Sequence, residues 1–140
     1  MRHTLVDTSV LVEYLKGNER AERLLSELFR EENILYINSV VFSEVVYVMM
    51  GHYSGGRAPR SLKRKPDKLP GGELKLVFSA LSKYGFVETT RRTTEIAREL
   101  IEKYALLPND AMILATCIEH GFSLATMDDE FKGSSRKGEG

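Results

Sequence analysis

"HTLVDTSVLVEYL", residues 3–15, runs from a short apolar stretch into a carboxylate and straight back into apolar residues. Thr4, Leu5 and Val6 have the β-branched and aliphatic character of a buried strand. Asp7 then stops the run, with two hydroxyl residues, Thr8 and Ser9, directly behind it. Apolar residues resume at Val10, and Ser9 to Lys16 reads as a short helix ended by Gly17 and Asn18. Two explanations fit an acid at such a junction. Asp, Thr and Ser all cap helices well, or the carboxylate serves a ligand site such as a metal.

Working outward, Ala21, Leu24, Leu25 and Leu28 recur at helical spacing and Ile34 to Ile37 reads as a second strand. "SVVFSEVVYVMM", residues 39–50, has the β-branched content of a strand but the length of a helix, and length decides for helix with Ser39 as N-cap. Further on, the pattern predicts a helix from Glu73 to Tyr84 stopped by Gly85, and a strand near Phe86 to Glu88. A helix from about Thr94 to Tyr104 follows, with Ile96, Leu100, Ile101 and Tyr104 on one face. Pro108 and Asn109 open another from Asp110 to His120, with Gly121 in the C-terminal capping place, and Phe122 to Thr126 is a last strand. Strands alternating with helices define a three-layer α/β domain around a mostly parallel sheet. Such sheets bind ligands beyond the carboxyl ends of their strands, which is where Asp7 falls.

The chain has 140 residues, enough for one hydrophobic core, with 42% apolar and 29% charged residues. Residues 1–132 are expected to form that single domain and 133–140, "GSSRKGEG", a flexible tail. No apolar stretch is long enough for a membrane span, and Asp7 interrupts any signal-peptide layout, so a cytoplasmic location is expected. A single cysteine, Cys117, excludes an internal disulfide, and no Cys/His cluster suggests zinc. Net charge is zero but uneven. Residues 51–72 carry Arg57, Arg60, Lys63, Arg64, Lys65 and Lys68 against the single acid Asp67, a balance of +5 that leaves −5 on the rest. That segment also holds five of the eleven glycines and three of the four prolines, and reads as a long structureless insertion. It is either a solvated loop or an electrostatic clamp on the phosphates of a nucleic acid.

Three further acids stand in places comparable to Asp7. Asp128 follows the last strand, Asp110 lies in the first turn of its helix, and Glu44 interrupts a run of valines where a charge is costly unless satisfied. Each has an ordinary reading: a first-turn acid for Asp110, a cap for Asp7. Four together imply more. Carboxylates gathered in one pocket repel, and the remedies are to protonate some or to bind a cation. All-oxygen ligation selects a hard ion, Mg²⁺ or Mn²⁺, which suits phosphodiester hydrolysis by a metal-activated water.

"LVDTSVLVEYL", "SEVV" around Glu44, "LPNDAMILATCIEHG" and "FSLATMDDEF" together resemble the motif series of the PIN-domain ribonucleases, most closely the small VapC-type toxins of bacteria and archaea. The likeness spans residue 4 to Phe131 and rests on the order and spacing of the motifs. It implies a PIN-like fold and a divalent-metal-dependent endoribonuclease that leaves a 3′ hydroxyl and a 5′ phosphate. It assigns Asp7, Glu44, Asp110 and Asp128 to an acidic, metal-holding quartet, with Thr8 or Ser9 and Thr126 orienting them. It also implies a homodimer restrained by a cognate antitoxin. Asp128 rather than Asp129 matches the family position, and residues 51–72 are longer and more basic than the family pattern leads one to expect.

Other classes are a housekeeping RNA-processing PIN nuclease, a non-catalytic binding module on the same scaffold, and a phosphoryl-transfer protein. The haloacid-dehalogenase-like phosphatases need a second Asp where Ser9 stands. A receiver domain needs a lysine after a late strand, and none is clear.

Overall fold

The computed structural model describes residues 1–56 and 59–128. Its elements alternate as the apolar pattern requires: β1 (Arg2–Val6), α1 (Thr8–Leu15), α2 (Glu19–Arg30), β2 (Asn33–Asn38), α3 (Ser39–Tyr53), α4 (Gly71–Leu81), β3 (Gly85–Val87), α5 (Arg91–Tyr104), α6 (Pro108–His120) and β4 (Ser123–Ala125). The four strands form one sheet in the order β3-β2-β1-β4, and every pairing is parallel. Leu5 lies opposite Tyr36 on one side and Leu124 on the other, so β1 is central. Leu5 and Val6 are fully buried, as a strand covered on both faces must be.

From β1 the chain steps to β2 and then β3 in one direction, and α5 and α6 carry it back to β4 on the far side of β1. Right-handed crossovers put helices α1–α4 and the α5–α6 pair on opposite faces. The direction of winding therefore reverses between β1 and β4. That crevice is the topological switch point, where open parallel sheets bind their ligands. Asp7 follows one of its strands and Thr126 and Asp128 the other. Among the described residues, no helix is long and apolar enough to cross a membrane.

Several boundaries differ from the sequence expectation for identifiable reasons. The N-cap of α3 is Asn38, not Ser39, because the Asn38 side chain accepts from the Val41 N–H at 2.9 Å. Asn38 is fully buried, and its Nδ2 donates to Thr116 Oγ1 at 3.0 Å, fastening α3 to α6. Asn38→Ala removes a cap and one of the two hydrogen bonds of the buried Thr116 hydroxyl, which still donates to the Met112 carbonyl, so it is expected to cost about 1–2 kcal/mol. A thermal melt checks this, and Asn38→Asp, which keeps the cap acceptor, should fall in between.

Helix α4 ends at Leu81 rather than Tyr84, and Gly85 belongs to β3 instead of stopping a helix. A Cβ there would lie 2.7 Å from Tyr36 Cδ1, so glycine is what lets β3 close on β2. Helix α5 starts at Arg91 behind a capping box of Thr90 and Thr93, and it buries Thr93, Ala97 and Leu100, while Ile101 is 37% exposed. Gly121 caps α6 at φ 70, as expected. The largest correction concerns residues 51–72. Helix α3 runs into them as far as Tyr53 and α4 begins at Gly71. Between lie two 3₁₀ turns, Pro59–Lys63 and Pro66–Lys68, and Leu62 is 8% exposed. Three prolines preset the turns and one leucine anchors them, so this is not a structureless loop. Arg57 and residues 129–140, including Asp129 and the expected tail, lie outside the described residues.

Candidate active site

Asp7 is 4% exposed and occupies the N-cap position of α1, yet its side chain makes no capping bond. Its backbone carbonyl accepts from Val10 and Leu11 N–H instead. The carboxylate faces other groups. Ser9 Oγ donates to Asp7 Oδ2 at 2.7 Å and Thr126 Oγ1 donates to the same oxygen at 2.9 Å. A hydroxyl has one proton, so both protons are committed to Asp7, and the 3.4 Å approach of Ser9 to Thr126 is a contact rather than a third bond. Each hydroxyl then accepts from the chain leaving β4: Met127 N–H to Ser9 at 3.1 Å, Asp128 N–H to Thr126 at 3.0 Å. Both donors converge on Oδ2, and Oδ1 receives neither.

Glu44 stands partly buried on α3, and its charge among valines is satisfied from two elements. Thr8 Oγ1 donates to Oε1 at 2.8 Å and Asn109 Nδ2 to Oε2 at 3.2 Å. Thr8 and Ser9 therefore divide the work: Thr8 orients Glu44 and Ser9 orients Asp7. Asn109 is the residue that sequence reasoning read only as a helix opener. It ties the start of α6, and with it Asp110 in the first turn, to Glu44. Asp110 is partly buried and Asp128 exposed. Two sets of hydrogen bonds thus meet at the start of α1, one joining it to α3 and α6 through Thr8 and the other to the exit of β4 through Ser9. Neither Asp7 nor Glu44 has an ion-pair partner among the described residues.

Among the described residues, no three acids, histidines or cysteines form a ready-made metal cage. The donor set still fits a hard ion of the Mg²⁺ type, which binds through one or two carboxylates and fills its shell with water. The fit rests on one buried carboxylate held by hydroxyls, a second held by Thr8 and Asn109, and no cation paired with either among the described residues.

A cavity of about 430 Å³ adjoins this network. Thr126 and Met127 line it together with Arg2, Arg20 and Arg23 and the acids Glu27 and Glu31. The sequence signal for these arginines, charged residues three apart on an amphipathic helix, is common to most surface helices, so nothing in the sequence singles them out.

The fold and the site define a parallel α/β domain with a carboxylate centre at its switch point. The PIN domain family model matches residues 4–136, and the chain belongs to the PIN domain family. Ribonuclease VapC2 of Methanocaldococcus jannaschii is 32% identical over 127 residues, covering 90% of this chain and 85% of that protein. Ribonuclease VapC6 of the same organism is 32% identical over 139 residues, covering 93% and 91%. A toxin-antitoxin complex from Klebsiella pneumoniae contains a chain of the same fold, with a TM-score of 0.67, 22% identity and coverage of 93% and 91%.

Proposed function

We propose that this chain is a divalent-metal-dependent endoribonuclease and the toxin of a toxin–antitoxin pair. The observation that carries the reading is the buried carboxylate of Asp7, oriented by Ser9 and Thr126 at the switch point beside a separately oriented Glu44. The two relatives named as ribonucleases support the RNA substrate. The fold shared with a chain of a toxin-antitoxin complex supports a protein partner. A cytoplasmic homodimer completes the proposal.

In this reading Asp7, Glu44, Asp110 and Asp128 would hold Mg²⁺ or Mn²⁺. Bound there, the ion supplies an acidified water and neutralises charge on the phosphate. The chain's own part is placement. Ser9 and Thr126 keep Asp7 in one rotamer by donating to its Oδ2. Thr8 and Asn109 do the same for Glu44. Arg20 and Arg23 offer cations to the RNA backbone on the β4 side, and Arg60, Lys63, Arg64, Lys65 and Lys68 extend the basic surface away from it.

Purified chain incubated with RNA and Mn²⁺ should give fragments with 5′ phosphates and 3′ hydroxyls, the outcome of attack by water. Ends carrying 2′,3′-cyclic phosphate would mean that the ribose hydroxyl attacks, and would overturn the mechanism. Thr126 supplies a sharper check. Thr126→Val deletes the hydroxyl that both donates to Asp7 and accepts from Asp128 N–H, and is expected to slow cleavage about 10–100-fold. Thr126→Ser should keep most of the rate. The Mn²⁺ concentration for half-maximal activity should rise in the valine variant alone.

A further inference from the structure

A second cavity, of about 590 Å³, opens where α3 ends and the two 3₁₀ turns begin. Tyr53 and Ser54 line it from the end of α3, and Arg64, Lys65 and Lys68 from the turns. Among the described residues no carboxylate lines it, and none of these three cations has an ion-pair partner. Like charges gathered on a concave wall repel one another, and an anion seated between them relieves that repulsion. Ser54 gives an independent sign. Its Oγ is the one buried side-chain polar atom among the described residues that lacks a hydrogen-bond partner, and such atoms nearly always find one.

The cavity wall is built rather than incidental. Leu62 is buried beneath it, and backbone bonds from Arg64 N–H to Ser61 and from Lys68 N–H to Lys65 close the turns at 3.2 and 3.0 Å. A guanidinium fork and two ammonium groups make the cationic donor set of a phosphate site. The volume exceeds what a lone phosphate needs, and the Tyr53 ring beside it suits a base attached to that phosphate. Ser54 lies ten residues beyond Glu44 along the α3 direction, which is about 15 Å of helix rise. That separation is a few nucleotides of single strand.

We propose that this cavity is a phosphate-binding subsite that grips the RNA strand a few nucleotides from the scissile bond. The proposal rests on the ribonuclease reading but localises one part of it: Arg64, Lys65 and Lys68 act as one pocket with Ser54 and Tyr53, and Arg60 and Lys63 stand outside it.

The test uses the full chain carrying Asp7→Asn, so that RNA is bound without being cut, and fluorescence anisotropy with a labelled single-stranded RNA of about ten nucleotides. Adding Arg64→Gln and Lys68→Gln should weaken binding about tenfold at low salt and flatten the plot of log affinity against log salt by about 1.4, the share of two contacts to a single strand. Lys16→Gln with Lys103→Gln, exposed lysines that line neither cavity, should change it by less than about twofold. In the cleaving enzyme, the Arg64 and Lys68 substitutions should raise KM for the long RNA and leave a trinucleotide, too short to span the gap, unaffected. Unchanged affinity and KM in an enzyme that still cleaves RNA would overturn the subsite and leave the ribonuclease reading standing. Absence of cleavage by the otherwise native chain would instead count against that reading. Inorganic phosphate that raises the melting temperature through Arg64 and Lys68, with RNA affinity unchanged, would mark a small-anion site and overturn the proposal.

Discussion

Asp7→Asn is expected to lower RNA cleavage by at least about 10²–10³-fold while leaving the fold intact, the scale of losing a group that positions charge at the reacting centre. The structural side of this expectation is specific. Asparagine has the shape of aspartate and keeps one oxygen, which can accept from both Ser9 and Thr126 just as Oδ2 does. The two hydroxyl donors therefore keep their acceptor. What is lost is the negative charge, which in a residue 4% exposed carries a desolvation cost with no cation beside it among the described residues. The melting temperature in the absence of divalent ions should accordingly stay level or rise, the usual sign of a group kept for function at the expense of stability. Asp7→Ala is the informative contrast. It also abolishes cleavage, but it strands two hydroxyl donors and should lower stability by about 1–3 kcal/mol. An Asp7→Asn protein that cuts RNA at the native rate would remove Asp7 from the centre of the site.

The same residue shows what a sequence reveals about a site. Asp7 and Asp128 stand out in the sequence because each follows a short apolar run, and a run of that kind has few readings other than a buried strand. Glu44 was legible because valines surround it and a charge there needs a partner. None of these signals says which partner. The bond from Thr126 to Asp7 joins residues 119 apart, and the one from Asn109 to Glu44 joins residues 65 apart. Such pairings follow from the order of strands in the sheet, which local periodicity does not encode. Two plausible hydroxyls, Thr8 and Ser9, could not be told apart for the same reason: adjacent residues at the start of a helix point about 100° apart, and only the packed neighbours decide which acid each meets.

Asn38 and the 51–72 segment fail differently. Ser is as good a cap as Asn, so Ser39 was a fair reading, and what displaced it is the buried bond from Asn38 to Thr116 across the interior. In the basic segment, the glycines and prolines that suggest disorder are the residues that shape tight turns. A single buried leucine, Leu62, gives too weak a periodic signal to reverse that impression.

Removal of divalent ions is expected to abolish cleavage completely, and an effect on stability should accompany it. With no ion, Asp7 and Glu44 are charged groups without an ion-pair partner among the described residues, held only by neutral donors. Such an arrangement tolerates the acids without neutralising them. A ligand that binds only the folded state adds RT ln(1 + [L]/Kd), so Mg²⁺ or Mn²⁺ at about ten times its Kd should add roughly 1.4 kcal/mol and raise the melting temperature by a few degrees. The chelated protein should melt lower yet cooperatively, and added Mn²⁺ should restore both the temperature and the activity. The decisive comparison is between the native chain and Asp7→Asn. If Asp7 holds the ion, the native chain shows the rise and the variant loses most of it, although its ion-free melting temperature is no lower. An equal rise in both would place the ion elsewhere, and cleavage by the fully chelated enzyme would show that the acids serve some other chemistry. Because the melting measurement needs no RNA, it reports on the acids even before a substrate sequence is found.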